Sequence, residues 1–135
     1  LNHFLQERFA GAALSGLVRG TMAISTEQLQ EFRSLLDKFP NAKDTIVGRS
    51  VTPTFLAAQN GHIDALILLI QAKADVNKAR DDGRTPAFMA AQNGHLDALK
   101  ALIQAKADVN KARNDSVTPA FMAAQNGHLD ALKAL

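Results

Sequence analysis

Apolar residues follow a helical period in the middle of the chain and are interrupted by polar residues at regular places. Four of them lie three, three and one positions apart and so share one face of a helix: Ile63, Leu66, Leu69 and Ile70. A carboxylate in the first turn, Asp64, is favoured by the helix dipole. The pattern therefore predicts an amphipathic helix whose apolar face must be buried against another element.

A shorter helix is predicted immediately before this one. Thr52 can cap the N-terminus of a helix with its hydroxyl, and Pro53 suits the first turn because that position needs no backbone N–H donor. Gly61 ends the segment, since glycine readily adopts the left-handed conformation that closes many helices. After the second helix comes a polar stretch in which Asp82 and Gly83 indicate a turn. The chain is therefore predicted to form a helix, a tight turn, a second helix and a long turn.

This unit recurs with a period of 33 residues. Residues 51–83 and 84–116 are identical at 25 of 33 positions, and residues 84–102 and 117–135 are identical at all but one. A single unit of this kind cannot bury its own apolar face, so successive copies must stack against each other. The sequence therefore predicts a helical solenoid.

The chain is divided accordingly into a helical capping region and a set of repeats. The predicted cap covers residues 1–50, and the repeats cover residues 51–135. The individual repeats are 51–83, 84–116 and an incomplete third at 117–135.

The motifs of the unit resemble those of the ankyrin repeat. The pattern T-P-x-x-x-A-A-x-x-G-H is followed by a leucine-rich helix, by A-D-V-N and by D-x-G. In this sequence the motifs are Thr85-Pro86, Ala90-Ala91, Gly94-His95, Ala107-Asp108-Val109-Asn110 and, one repeat earlier, Asp81-Asp82-Gly83. The resemblance implies an all-α ankyrin-repeat solenoid of stacked helix-turn-helix units with β-turn or hairpin-like loops. It also implies that residues 25–50 are a degenerate capping repeat.

Two positions depart from the ankyrin pattern. The histidine of the family's T-P-L-H motif is replaced by Phe55, Phe88 and Phe121, and we expect these rings to form a ladder with stacked or edge-to-face contacts. Lys73 and Lys106 stand where the family usually has a helix-ending glycine. Each lysine must therefore either adopt a left-handed conformation or let its helix continue.

The first fifty residues lack the repeat motifs but still predict two helices. Ser25 and Gln28 have the spacing of a capping box, and Pro40 ends the apolar pattern that follows them. Residues 2–23 are predicted to be helical, with glycines that suit close packing against another helix.

One apolar residue indicates that the first repeat is covered. Ile67 stands where the later repeats have Lys100 and Lys133. An apolar residue at an otherwise solvent-facing position usually has something packed on it. We therefore expect residues 1–24 to bury Ile67.

Composition and charge narrow the classes of function. The chain contains no cysteine, which excludes disulfides, thiolate metal ligands and a cysteine nucleophile. Its net charge of +2, from 15 basic and 13 acidic residues, does not indicate a nucleic-acid or membrane partner. The longest apolar run, residues 65–70, is far shorter than the ~20 residues that a membrane span needs. We expect a soluble, helical protein, consistent with its 24 alanines.

The periodic histidines do not indicate a metal or catalytic site. His62, His95 and His128 stand one repeat apart, and packed helices lie about 8–10 Å from each other, whereas zinc ligands lie about 2 Å from their ion. We interpret them as structural residues of the turns between helices. We therefore expect no catalytic, cofactor-binding or metal-binding residues.

Basic residues also recur in the long turns, as Lys73, Lys78 and Arg80 and again one repeat later. Acidic residues are interleaved with them, and no exposed aromatic residues accompany them for stacking on bases. We interpret this set as a solvated loop face, and nucleic-acid binding stays open as an alternative.

The resemblance to ankyrin repeats also implies where a partner would bind. Such stacks bind other proteins through the tips of the turns and the exposed side of the first helices. The positions carried over are Arg49, Val51, Asp81, Asp82, Arg84, Met89, Asn114, Asp115, Val117 and Met122. The two methionines belong to this surface only if they are exposed. The Gln-Asn pairs at 59–60, 92–93 and 125–126 are identical in the three repeats and are interpreted as solvated helix ends.

Two hypotheses of function follow from these residues. The first is a non-catalytic scaffold or adaptor that binds an unidentified protein as a monomeric module, without nucleic acid and without membrane insertion. The second is a targeting module of a larger protein, such as a bacterial effector or an enzyme, whose catalytic part lies outside these residues. The incomplete third repeat favours a longer protein. We expect a cytoplasmic location, or the host cytosol for a secreted effector.

Overall fold

Helices form most of the chain in the computed structural model, which describes residues 2–135. Leu1, the first residue of the predicted cap, lies outside the described residues. The helices are α1 (His3–Val18), α2 (Thr26–Lys38), α3 (Pro53–Asn60), α4 (Ile63–Gln71), α5 (Pro86–Asn93), α6 (Leu96–Gln104), α7 (Pro119–Gln125) and α8 (Leu129–Ala134), with a 3-10 helix at Pro40–Asp44. The prediction of an all-α solenoid is confirmed. None of the helices within residues 2–135 is long and apolar enough to cross a membrane.

The three repeats are the pairs α3–α4, α5–α6 and α7–α8, and they stack in two layers. The first layer contains α3, α5 and α7, and the second contains α4, α6 and α8. Before each first-layer helix, a threonine hydroxyl accepts a hydrogen bond of 3.1 Å from the backbone N–H three residues later; these residues are Thr52, Thr85 and Thr118. Gly61 and Gly94 end their helices in the left-handed conformation, with φ of 74° and 72°. The threonine caps and the helix-ending glycines that the sequence predicted are thus confirmed.

The two lysines that replace the family's glycine both adopt the left-handed conformation. Lys73 has a φ of 66° and Lys106 a φ of 68°. Their helices end two residues earlier, at Gln71 and Gln104, and do not continue through the lysine. A left-handed lysine costs roughly 1–2 kcal/mol, and the burial of the adjoining helices offsets this cost.

The N-terminal helices occupy the positions of a further repeat. Helix α1 packs beside α3 in the first layer, and α2 packs beside α4 in the second. The capping box at Ser25 and Gln28 is confirmed, because each residue's side chain accepts a hydrogen bond from the other's backbone N–H. Helix α1 ends at Val18, so the prediction of a helix to residue 23 was too long.

The prediction that residues 1–24 bury Ile67 was wrong. Within residues 2–24, α1 packs in the first layer against α3, whereas Ile67 belongs to α4 of the second layer. Ile67 is 41% exposed and borders a shallow depression that Leu29 and Arg33 of α2 also line. Its neighbour Leu68 is the buried residue of this face. The sequence pattern correctly indicated a contact on α4, but α2 makes it through Leu68.

The predicted phenylalanine ladder is only partly formed. Phe55 and Phe88 are fully buried and form, with Met89, a small apolar cluster that is separate from the main core. Phe121 is 56% exposed, because no further repeat packs on α7 in the described residues. Among residues 2–135, the aromatic ring pair that is formed joins His3 and Phe39, and the expected stacked or edge-to-face pairs of Phe55, Phe88 and Phe121 are not formed.

Substitution of two glycines in α1 by alanine is expected to change the free energy of unfolding in opposite directions. A Cβ on Gly11 would lie 2.2 Å from Cβ of Thr45, whereas one on Gly16 would meet nothing within 4 Å. Gly16→Ala should stabilise the protein by about 0.5–1 kcal/mol through helix propensity. Gly11→Ala should destabilise it, because overpacking costs about 1–3 kcal/mol. Urea denaturation measures both changes, and stabilisation by both variants would show that α1 does not pack closely on Thr45.

Candidate functional site: the turn tips

Each long turn folds into a hairpin-like tip, and the three turn tips are residues 47–51, 80–84 and 113–117. In the second tip, the backbone N–H of Arg80 donates to the carbonyl of Arg84 (2.9 Å), and the third tip has the equivalent bond (2.8 Å). In the first tip, Val47 and Val51 exchange two backbone hydrogen bonds of 2.8 and 3.0 Å. The hairpin-like loops that the sequence predicted are therefore present.

Hydrogen bonds also join each tip to the next one. The backbone N–H of Asp81 donates to the carbonyl of Arg49 (3.1 Å), and that of Asn114 donates to the carbonyl of Asp82 (2.8 Å). The side chain of Asn114 donates to the carbonyl of Asp81 (3.0 Å), and the Ser50 hydroxyl donates to the carboxylate of Asp81 (2.6 Å). The tips therefore form one continuous row, and their backbones are held in place before any partner binds.

Most of the predicted partner-binding residues lie on this row or beside it. The exposed ones are Arg49, Asp81, Asn114 and Asp115, and the half-buried ones are Val51, Asp82, Arg84, Val117 and Met122.

Met89 does not belong to the accessible surface. It is 4% exposed and packs with Phe55 and Phe88, and Leu56, the equivalent residue of the first repeat, is 5% exposed. Met89 therefore does not meet the condition of exposure on which its assignment to the partner-binding surface depended. The physical reason is that the side of α5 expected to face solvent is covered by neighbouring repeats and by side chains from the tips.

Arginine side chains from the second tip lie over the buried phenylalanine rings. The guanidinium carbon of Arg80 is 5.3 Å from the ring centroid of Phe55, and that of Arg84 is 5.7 Å from the centroid of Phe88. In such a contact the negative face of the aromatic ring attracts the positively charged guanidinium group. The sequence suggested that Arg80 belongs to a solvated basic face. In the structure its side chain instead covers the apolar cluster.

Two arginines in the second tip share one carboxylate. Arg80 donates to Oδ2 of Asp82 from Nη2 (2.6 Å) and from Nε (3.2 Å). Nε of Arg84 lies 3.5 Å from the same oxygen, and the backbone N–H of Arg84 donates to Oδ1 (3.1 Å). The hydrogen bond from Arg80, opposed in part by desolvation, holds the pKa of Asp82 below its usual value. In the second tip, two guanidinium groups therefore share the single carboxylate of Asp82.

The third tip contains a matched pair instead. Arg113 donates two hydrogen bonds to the carboxylate of Asp115, of 2.8 and 2.7 Å. Val117 occupies the place of Arg84 in this tip, so no second guanidinium competes for the carboxylate. In the sequence, Arg80 and Arg113 each stand two residues before an aspartate. This spacing was the signal by which the two ion pairs could have been predicted.

The Asp115 carboxyl is expected to titrate near pH 2 in the folded protein, because Arg113 lowers its pKa to about 2 by hydrogen bonding. An unfolded chain titrates at about 3.9. Since the folded pKa is the lower one, this pair's contribution to stability is present above about pH 4 and is lost as the pH falls from about 4 to about 2. Arg113→Gln should raise the pKa towards the unfolded value in a ¹³C NMR titration. An unchanged pKa in this variant would mean that Arg113 does not cause the shift.

The asparagines at the ends of the first-layer helices are structural. The amide of Asn60 donates to the carbonyls of Val18 and Arg19 at 2.9 and 2.8 Å. In the same way, Asn93 and Asn126 donate to a carbonyl of the preceding repeat at 2.9 Å. Asn93 and Asn126 are exposed at the helix ends, as the sequence indicated, but each of the three asparagines also ties its repeat to the end of the previous first-layer helix.

The histidines of the inter-helix turns also contact the preceding repeat. A Cβ on Gly61 would lie 2.7 Å from Nδ1 of His95, and one on Gly94 would lie 2.4 Å from Nδ1 of His128. In the first repeat, Nε2 of His62 contacts the carbonyl of Gly20. Each ring therefore packs where the preceding unit has a glycine, which supports the structural role expected for them.

Comparison with known proteins identifies the family. The family model for ankyrin repeats in three copies matches residues 21–113 and, in an overlapping match, residues 54–135. No curated protein matches the chain. Ankyrin repeats are in general protein–protein interaction modules, and the fold is typically non-catalytic. The two matches together include α2 through α8, which have the stacked helix pairs described above, and the chain belongs to the ankyrin-repeat family.

Proposed function

We propose that this chain is a non-catalytic interaction module that binds a partner protein, as a monomer, through the turn tips and the adjoining half-buried side chains of the first-layer helices. The observation that carries the proposal is that residues 84–102 and 117–135 differ at a single position, occupied by Arg84 and Val117, and that this position lies in the turn tips. Val51, Arg84 and Val117 occupy one equivalent site in the three tips. Arg49, Asp82 and Asp115 occupy a second equivalent site, and both sites lie on the row of tips.

The rigidity of this row supports the proposal. Consecutive tips are joined by backbone and side-chain hydrogen bonds, among them those from Asp81 to Arg49 and from Asn114 to Asp82. A surface that is already ordered loses less conformational entropy when it binds a partner. Residues that differ between repeats are thus presented from a fixed backbone.

A charge-matched pair of variants tests the location of the site. Arg49→Glu with Arg84→Glu changes the turn tips, whereas Lys100→Glu with Lys133→Glu makes the same change in charge on the exposed face of α6 and α8. Each variant and the wild type serve as bait in affinity capture from cell lysate. We expect partners bound by the wild type to be lost with the first variant and retained with the second.

Two results would contradict the proposal. If every captured partner survives the change at the turn tips, the row is not the binding site. If both variants lose their partners equally, net charge and not the position of the charge explains the binding. Circular dichroism on both variants checks that they remain folded, and this is expected because all four side chains are at least partly exposed.

A further inference from the structure

An apolar residue, a cation and a second apolar residue follow each other along the turn tips. Val51, Arg84 and Val117 occupy equivalent positions in successive repeats, and all three are half-buried. The two valines also contact the apolar cluster of Phe55 and Phe88. The row therefore presents two shallow apolar positions with one guanidinium between them.

The guanidinium of Arg84 is incompletely paired. The carboxylate of Asp82 already accepts two hydrogen bonds from Arg80. Nε of Arg84, at 3.5 Å from that carboxylate, is buried and has no hydrogen-bond partner among the described residues. About a quarter (23%) of the Arg84 side chain is exposed.

The other charged side chains near Arg84 have partners of their own. Arg80 is paired with Asp82, and Arg113 is paired with Asp115 within the third tip. The carboxylate of Asp81 accepts a hydrogen bond from Ser50. Desolvation and the two neighbouring guanidinium groups, opposed by the two aspartates, lower the pKa of Arg84 below its usual value. A further carboxylate would relieve the crowding of positive charge at this place.

We propose, on the basis of the proposed function, that the partner binds as an extended acidic peptide with a carboxylate side chain on Arg84 and apolar side chains on Val51 and Val117. Stacked helices lie about 8–10 Å apart, and an extended peptide in the polyproline II conformation rises about 3.1 Å per residue with three residues per turn, so that every third side chain lies on the same face. One repeat therefore corresponds to three peptide residues. The predicted motif is an apolar residue, two unspecified residues, an aspartate or glutamate, two unspecified residues and a second apolar residue.

Synthetic peptide pools test this motif directly. Each pool has seven residues with leucine at both ends and mixed small polar residues between, and the central residue is aspartate, asparagine, lysine or phosphoserine. Fluorescence polarisation measures the affinity of each pool for the wild-type protein. A hydrogen bond to a charged group contributes about 1.5–3 kcal/mol, so we expect the aspartate pool to bind about tenfold to a hundredfold more tightly than the asparagine pool.

The repeats themselves supply the control variants. Arg84→Val places at this position the residue that both neighbouring repeats have, so the fold should tolerate it. We expect this variant to bind the aspartate and asparagine pools equally, with the affinity that the wild type has for the asparagine pool. Val117→Arg should create a second preference for a carboxylate, three residues from the first.

The possible outcomes separate this inference from the proposed function. Equal binding of the aspartate and asparagine pools by the wild type, or an aspartate preference that persists in Arg84→Val, overturns the inference but leaves the turn tips as a binding surface. Tighter binding of phosphoserine than of aspartate replaces the carboxylate by a phosphate and also overturns it. If no pool binds while captured partners still depend on the tips, only the peptide motif fails. If neither the binding of the peptide pools nor the binding of captured partners depends on the turn tips, both proposals fail.

Discussion

Phe88→Ala is expected to lower the free energy of unfolding by about 3–5 kcal/mol, the usual cost of deleting a buried aromatic ring. The side chain is fully buried in the cluster with Phe55 and Met89, and the guanidinium of Arg84 lies over its ring. Alanine would remove the apolar contacts and leave Arg84 without the surface on which it rests. The loss should therefore lie at the upper end of this range.

Phe121→Ala is the matched control, because it is the same substitution at the equivalent position of the last repeat. Phe121 is 56% exposed, so its removal should cost about 1 kcal/mol or less. Urea denaturation followed by circular dichroism measures both variants. Equal losses of unfolding free energy in the two variants would contradict the burial of Phe88 by its neighbours. They would indicate that the ring stabilises the protein only through contacts within its own helix.

Gly94→Ala is expected to destabilise the protein by about 2–5 kcal/mol through two separate effects. Gly94 has a φ of 72°, and a left-handed alanine costs roughly 1–2 kcal/mol. A Cβ at this position would also lie 2.4 Å from Nδ1 and 2.8 Å from Cγ of His128. Since the whole ring is close, moving one flexible atom cannot relieve the contact, and overpacking adds about 1–3 kcal/mol.

Gly127→Ala separates these two effects. Gly127 has a φ of 75°, but nothing lies within 4 Å of a Cβ placed on it. This variant should therefore show the backbone cost alone, roughly 1–2 kcal/mol, when both variants are compared by urea denaturation. A difference of zero between the two variants would mean that His128 moves freely away from Gly94, and the proposed packing of one repeat on the next through this ring would be wrong.

The features that could be predicted from the sequence are those that depend on neighbouring residues along the chain. Thr85 caps α5 with a side chain that reaches only three residues ahead, and Gly94 ends the same helix by its own conformational freedom. Ser25 and Gln28 form their capping box within one turn. The period of 33 residues then implied stacking, because a lone helix pair cannot bury its apolar face.

The features that the sequence did not reveal depend on contacts between repeats. Asn93 bonds a carbonyl 34 residues earlier, and this partner is a backbone atom that leaves no signature in the sequence. Ile67 was assigned to the wrong neighbour because the pattern shows that α4 has a contact face but not which helix lies on it. The ladder of Phe55, Phe88 and Phe121 failed at its last member because burial depends on the following repeat.

The candidate site shows the same division. The sequence by itself determined that the repeats differ at Val51, Arg84 and Val117, and that these residues lie in the long turns. Only the tertiary structure decided that Met89 is buried and that Arg84 shares the carboxylate of Asp82 with Arg80. The physical reason is that helix caps and turns are stabilised by interactions between neighbours in the chain, whereas burial and ion pairing depend on which side chains the stacked repeats bring together.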